Sequence, residues 1–126
     1  MAAGRIRGQT GGMQIRVKRV YDQAAPEDGL RVLVDRLWPR GVSKERARLD
    51  LWAKDAAPSA QLRVAFHHDG MSWPEFEAAY RAELAANPAV DRLREQIATH
   101  PVVTLLYGSH DEEHNGAMVL REQLLG

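Results

Sequence analysis

The sequence predicts an α/β fold, a small three-layer sandwich with a mostly parallel sheet of about four strands and helices on both faces. Two short apolar runs, Arg31–Val34 and Val102–Tyr107, have the composition of buried strands, and the second is apolar enough to be covered on both faces. Between the two runs, apolar residues recur at helical spacing. Strands early in the chain, two to three helices, an apolar strand and a terminal helix together indicate a small α/β sandwich.

The composition of the chain predicts where the folded part begins. Residues 1–12 are rich in glycine and hold no periodic apolar side chains, so we expect a disordered tail there and a single domain over residues 13–126. Alternating apolar residues predict a first strand over 15–20, and turn residues then return the chain to Arg31–Val34. A short strand is predicted around Leu51 from the same alternation.

Capping residues predict where the helices begin. Each is a Ser or Asn placed just before a stretch with helical periodicity, and two are followed by Glu at capping-box spacing. The predicted caps are Ser43, Ser59, Ser72 with Glu75, Asn87, and Ser109 with Glu112. After Ser72, the apolar residues Phe76, Ala79, Tyr80 and Leu84 form the buried stripe of a helix.

The composition also excludes several classes of function. The 126 residues include no cysteine, which excludes disulfides, thiolate catalysis and cysteine-ligated zinc. Lys+Arg and Asp+Glu are both 17, and this neutral balance disfavours a nucleic-acid partner, because phosphate neutralisation supplies most of the affinity for DNA. No apolar run is long enough to cross a bilayer and no signal-peptide pattern appears, so we expect a cytoplasmic protein without a membrane partner.

Polar and aromatic residues follow the strand at Arg31–Val34 and indicate a site, because open α/β sheets bind ligands at the carboxyl ends of their strands. Asp35 is a candidate general base. Arg36 and Arg40 are candidates for binding a phosphate or carboxylate, and Trp38 for stacking on a base or sugar. The alternative is that Asp35 and Arg36 form an internal ion pair while Trp38 packs the loop.

A second group of candidates follows the strand at Val102–Tyr107. Gly108 ends the strand, and a glycine turn leading into a helix exposes N–H groups that favour an anion. Asp111 and His114 are spaced to share one proton or one metal ion, and Asn115 adds an amide. The alternative is that the acidic residues of this turn only cap the helix.

Histidines supply further candidates. His67 is a candidate substrate-binding residue, although a histidine at a helix C-terminus is also favoured as a cap. His110 to His114 match the H-x-x-E-H pattern of inverted zinc proteases, but few residues follow to supply a third ligand. We therefore predict no metal site, and the sequence specifies no cofactor.

These residues also carry a family resemblance, which covers nearly all of the folded part. From Val17 to Leu124 the chain resembles the YeaO-like branch of domain of unknown function family 488. The matching segments include Val34-Asp35-Arg36-Leu37-Trp38-Pro39-Arg40-Gly41, Trp52-Ala53-Lys54, Phe66-His67-His68 and Val103-Thr104-Leu105-Leu106-Tyr107, with Asp111, His114 and Asn115. A wider branch carries a Cys-His-Arg triplet near the last strand-to-helix turn, and the thiol of that triplet is missing here. The resemblance implies no particular activity, and the label of transcriptional regulator that some members carry gains little support from the neutral charge.

If the two apolar strands are parallel, both groups of candidates meet at one edge of the sheet. We then predict a small enzyme that acts on a phosphate-bearing or nucleotide-like substrate. The proton-transfer candidates are Asp35, Asp111 and His114, and the substrate-binding candidates are Arg36, Trp38, Arg40, His67 and Asn115. The alternatives are a non-catalytic module that binds nucleic acid or a protein, and a purely structural role for the loop after Val34. The sequence leaves open whether the protein is an enzyme, and it specifies no oligomeric state.

Overall fold

A computed structural model describes residues 13–126, so the tail predicted over residues 1–12 lies outside the described part. The strands are β1 (Gln14–Arg19), β2 (Leu30–Leu33), β3 (Leu51–Trp52) and β4 (Val102–Tyr107). The α-helices are α1 (Lys44–Ala47), α2 (Ala60–His68), α3 (Trp73–Ala85), α4 (Pro88–Ile97) and α5 (Gly116–Leu125). The four strands form one parallel sheet in the order β1-β4-β2-β3, which confirms the predicted α/β sandwich.

The two faces of the sheet are covered differently. Alternate strand residues such as Val32 and Leu105 face the large cluster that α2 to α5 supply, with Tyr80 among its fully buried members. The residues between them, such as Leu33 and Leu106, face a small cluster built from the loop after β2 and from α1. Four helices therefore cover one face, whereas a loop and one short helix cover the other.

Side-chain caps fix the starts of the helices, and most match the prediction. Ser43, Ser59 and Ser72 each accept a hydrogen bond from the backbone N–H three residues on. Glu75 completes the capping box at Ser72, and Asn87 caps α4. The helix boundaries in this part of the chain therefore follow from local sequence.

The predicted start of the last helix is wrong. α5 begins at Gly116, where the Oδ1 of Asn115 accepts a hydrogen bond from the N–H of Met118. The Ser109 hydroxyl accepts from the N–H of Asp111, two residues on, and the residues from Glu112 to His114 form bends rather than a helical turn. Two capping sequences compete here, and the one nearer the apolar stripe of the helix starts it.

A buried ion network stabilises the connection from β1 to β2. The Asp28 carboxylate accepts hydrogen bonds from the Arg31 guanidinium and from the Lys18 ammonium, and both Asp28 and Arg31 are almost fully buried. Arg31 also donates to the carbonyl of Ala47, and the Thr104 hydroxyl donates to the carbonyl of Asp28. The network thus joins β1, β2, β4 and α1 on the loop-covered side of the sheet.

Candidate functional site

The carboxyl ends of β2 and β4 meet at one edge of the sheet, because the two strands are parallel neighbours. Leu33 pairs with Leu106, and two residues further on the N–H of Gly108 donates to the Oδ2 of Asp35 at 2.8 Å. The segments after the two strands, together with α2 and α3, surround a cleft of about 220 Å³. This volume lies below the ~300–1,000 Å³ of drug-sized sites, so it suits a small metabolite.

Asp35 lies half-buried in this cleft, and both its backbone and its side chain are hydrogen-bonded. Its backbone carbonyl accepts a hydrogen bond from the Trp52 indole at 2.8 Å, while its carboxylate accepts the one from Gly108. Burial raises the pKa of Asp35 above its ordinary value, although the Gly108 hydrogen bond and the positive charge of Arg63 oppose the shift. A carboxyl group in this setting can accept or donate a hydrogen bond to a ligand.

Arg36 and Trp38 line the cleft and are also bound to the backbone of the chain. The Nε of Arg36 donates to the carbonyl of Pro58 at 3.0 Å, and its Nη2 donates to that of Ala57 at 3.3 Å. Arg36 is therefore not ion-paired with Asp35, which was the alternative that the sequence left open. The indole of Trp38 donates to the carbonyl of Val42 at 2.7 Å, so Trp38 packs the loop and forms a wall of the cleft at the same time.

Two of the predicted site residues, Arg40 and Asp111, lie outside the cleft lining. Arg40 is exposed, and its contact with the chain is the carbonyl that accepts from the Tyr21 hydroxyl. Asp111 accepts the N–H groups of Glu113 and His114, and these hydrogen bonds lower its pKa. Asp111 therefore orders the turn before α5, and it does not cap the helix, because Asn115 holds that position.

The turn before α5 supplies two further lining residues, Asn115 and His114. Asn115 is buried, and its amide is used within the chain, since Oδ1 caps α5 and Nδ2 donates to the carbonyl of Asp111. His114 contacts the Asp111 carboxylate through Nδ1 at 3.3 Å, and its ring lies 5.1 Å from that of Trp73. Only His114 of this pair keeps a polar group available for a ligand.

The α2 helix forms the opposite wall with His67, Phe66 and Arg63. The rings of Phe66 and Phe76 are stacked, with centroids 4.5 Å apart. Burial and the positive charges of Arg63 and His68 lower the pKa of His67, so its imidazole is neutral near pH 7. This wall combines aromatic faces with a neutral imidazole and one guanidinium.

Arg63 lines the cleft but is not among the residues that the sequence predicts for the site. Its Nε is the one buried side-chain nitrogen or oxygen of residues 13–126 without a hydrogen-bond partner. The available indication was its spacing, because Arg63 and His67 are four residues apart and therefore share one face of α2. Sequence alone does not show which arginine of a chain remains unpaired after folding.

No metal site is found in the part of the chain that the structure describes, where no three acidic or histidine side chains are grouped closely enough. His110 and His114 lie on bends, and the H-x-x-E-H pattern needs both histidines on one helix face. None of the helices over residues 13–126 has the length and hydrophobicity needed to cross a membrane.

Comparison with known proteins agrees with the resemblance seen in the sequence. Residues 14–126 match the family described as the inactive DUF488-N3 subclade. The chain belongs to this family. The match spans every strand and helix of the sheet and its covering layers, and it includes the whole cleft.

Two relatives align with this chain over most of its length. The chain is 44% identical over 112 residues to the uncharacterized protein YeaO of Escherichia coli (strain K12), an alignment that covers 89% of this chain and 97% of that one. It is 40% identical over 113 residues to the uncharacterized protein Rv3073c of Mycobacterium tuberculosis (strain ATCC 25618 / H37Rv), covering 90% and 95%. No solved structure matches the chain.

Proposed function

We propose that the cleft at the sheet edge binds a small phosphate-bearing or nucleotide-like molecule, and that the domain acts by binding this ligand rather than by converting it. The observation that carries the proposal is the lining of the cleft. Stacked aromatic rings from α2 and α3 face a few polar groups, among them Asp35, Arg63 and His114. Apolar walls with a few converging polar groups are typical of small-molecule sites, and they stand here at the edge where parallel sheets bind ligands.

Two observations support binding without turnover. The family that the chain belongs to is described as inactive. Of the three residues predicted to transfer protons, Asp111 lies outside the cleft lining and contacts the His114 imidazole instead. This leaves Asp35 alone as a carboxyl group inside the cleft.

The charges of the described surface support a small ligand over a nucleic acid. Arg16 donates to the carbonyl of Glu27, Lys18 is paired with Asp28, and Arg36 donates to two carbonyls. The donors of these cations are therefore used within the chain, which leaves fewer of them for direct contacts with the phosphates of a nucleic acid.

A second candidate function is proton transfer on the same ligand, and Asp35 is the observation that favours it. Its raised pKa in a cleft is a property that acid–base catalysts share. Conversion of a bound ligand, lost in D35N while binding persists, would support this second candidate.

The proposal is tested by thermal unfolding of the protein with AMP, ribose 5-phosphate, inorganic phosphate and adenosine. A ligand at about 100 times its Kd stabilises a protein by about 2.7 kcal/mol, which corresponds to a shift of several degrees for a domain of this size. We expect AMP or ribose 5-phosphate to raise the Tm by that amount. No shift with any of the four compounds would contradict the proposal.

A conservative variant locates the bound ligand. Phe66→Leu keeps an apolar side chain in the cleft wall but removes the ring, so affinity for AMP should fall while affinity for inorganic phosphate stays the same. The matched control is Val64→Ala, on the same helix but exposed and outside the lining. Equal loss of AMP binding in both variants would place the ligand elsewhere.

A further inference from the structure

We infer that Arg63 binds the anionic group of the cleft's ligand, and that Asp35 accepts a hydrogen bond from a hydroxyl or N–H adjacent to that anion. The inference rests on the proposed function and specifies the chemistry of its ligand. It assigns the anion to a residue of α2, whereas the sequence assigned it to Arg36 and Arg40.

Arg63 differs from other arginines near the sheet edge in its hydrogen bonding. Arg19 donates to the carbonyl of Ser109, Arg31 to that of Ala47, and Arg36 to those of Ala57 and Pro58. Arg63 lines the cleft, yet its buried Nε has no partner within residues 13–126. Buried polar groups are nearly always hydrogen-bonded, and because Arg63 lines the cleft we assign the missing partner of its guanidinium to an anion bound there.

The shape of the Arg63 guanidinium determines which kind of anion it can bind. Nε and the adjacent Nη form one edge with two parallel N–H groups, which matches two oxygens of a phosphate or carboxylate. The cleft lining holds two guanidiniums, but Arg36 already donates to two backbone carbonyls. Of the two, Arg63 alone has an N–H edge that is free within residues 13–126, and one such edge favours one oxyanion rather than a chain of phosphates. The cleft volume of about 220 Å³ also favours a ligand with one phosphate over a larger one with several.

The Asp35 carboxyl has one oxygen left for the ligand. The charge of Arg63 acts on the Asp35 carboxyl, but the two side chains form no ion pair with each other. Oδ2 of Asp35 accepts from Gly108, and Oδ1 has no hydrogen-bond partner among the described residues. A carboxylate repels a bare anion, so the ligand must offer a donor beside its anionic group. Sugar monophosphates and nucleoside monophosphates have both groups.

Calorimetric titration of the arginine variants tests the assignment. We expect Arg63→Gln to weaken AMP and ribose 5-phosphate binding by about 10- to 100-fold, the effect of losing a hydrogen bond to a charged group. Arg63→Lys should recover only part of that loss, because an ammonium cannot bind two oxygens side by side. The control is Arg40→Gln, exposed and outside the lining, which should bind as the wild type does.

Adenosine is the control ligand, because it has the base and sugar of AMP but no phosphate. Arg63→Gln should therefore bind adenosine as well as the wild type does. Unchanged AMP affinity in Arg63→Gln, with loss in Arg40→Gln, would overturn the assignment and leave the cleft proposal standing. Absence of binding by the wild type to all these compounds would instead contradict the proposed function.

A measurement on the unaltered protein removes any dependence on the folding of the variants. In ¹⁵N NMR, the Nε–Hε resonance of Arg63 should shift and exchange more slowly with water when AMP is added, because its hydrogen then has an acceptor. A resonance that stays unchanged while Gly108 and Gly116 amide signals move would place the anion on another group and refute the inference.

Discussion

Asp35 is a carboxyl group that the fold holds in the cleft at a cost in stability. The sequence identifies this residue because it directly follows a buried strand, and the structure places it in the cleft with a raised pKa. A folded state that raises the pKa of a carboxyl group is penalised at pH values where the group is ionised. Residues that bind ligands often carry such a cost.

We therefore expect Asp35→Asn to raise the free energy of unfolding at pH 7. The Asn oxygen can still accept from Gly108, and the buried charge is removed. The gain should shrink as the pH falls through the folded-state pKa, which lies above the ordinary 3.8, and it should be lost below 3.8, because the wild-type carboxyl is then protonated in both the folded and the unfolded state. Urea unfolding at pH 7 and pH 3 measures both values, with the exposed Asp69→Asn as control. A variant less stable than the wild type at pH 7 would refute the expectation.

Arg63 marks the limit of residue-level prediction. Arg36 and Arg40 stand beside the strand and were assigned to the anion, but the structure gives Arg36 two backbone carbonyls and exposes Arg40. Which guanidinium finds acceptors inside the protein depends on tertiary neighbours that local sequence does not encode. Arg63 could be recognised only once α2 was placed against the ends of β2 and β4.

Among the elements, α3 has a polar contact that positions it over the sheet. Tyr80 is buried, and its hydroxyl donates to the carbonyl of Ala56 in the short turn after β3. Burial raises the pKa of Tyr80 well above its ordinary value, so the hydroxyl remains a donor at all ordinary pH values. The contact links the longest helix to the edge of the sheet.

Tyr80→Phe should lower the free energy of unfolding by about 1–3 kcal/mol, because a buried carbonyl loses its partner. Tyr21→Phe is a matched control, since the Tyr21 hydroxyl also donates to a backbone carbonyl, that of Arg40, but at an exposed position. Water can replace the hydroxyl there, so we expect a change within about 0.5 kcal/mol. Chemical denaturation of both variants makes the comparison, and equal losses would show that burial of the Tyr80 contact is unimportant.

Most helices and strands could be predicted because their signals are local. Ser72 with Glu75, and Asn87 before Pro88, determine helix starts within a few residues, and the apolar run of β4 identifies a central strand. The start of α5 was missed because Ser109 with Glu112 and Asn115 are both valid caps. The choice between them depends on which start lets Ala117 and Leu120 reach the core, and this is a property of the packed structure.

At the scale of the whole molecule, the ion network at Asp28 joins parts that are far apart in the chain. Burial opposes ionisation of Asp28, but hydrogen bonds from Ala25, Lys18 and Arg31 outweigh it and lower the pKa. A lowered pKa means that the ionised carboxylate stabilises the fold above pH 3.8 and that this contribution is lost as the pH falls through the folded-state value.

Asp28→Asn should therefore destabilise the protein at pH 7 by about 3 kcal/mol, because the buried Arg31 loses its counter-charge. The difference from the wild type should narrow on acidification below pH 3.8. Asp91→Asn, which removes an exposed ion pair with Arg94, should change stability by less than about 0.5 kcal/mol. Denaturation curves at several pH values decide, and a pH-independent loss in Asp28→Asn would contradict the ionic interpretation.

The positions of the three tryptophans have a practical consequence. Trp38 lines the cleft, the Trp52 indole is bonded to the carbonyl of Asp35, and the ring of Trp73 lies against that of His114. Every strongly fluorescent side chain of the protein therefore touches the cleft or one of its lining residues. Intrinsic emission is an optical probe built into this protein, and a library of unlabelled metabolites can be screened by fluorescence before any variant is made.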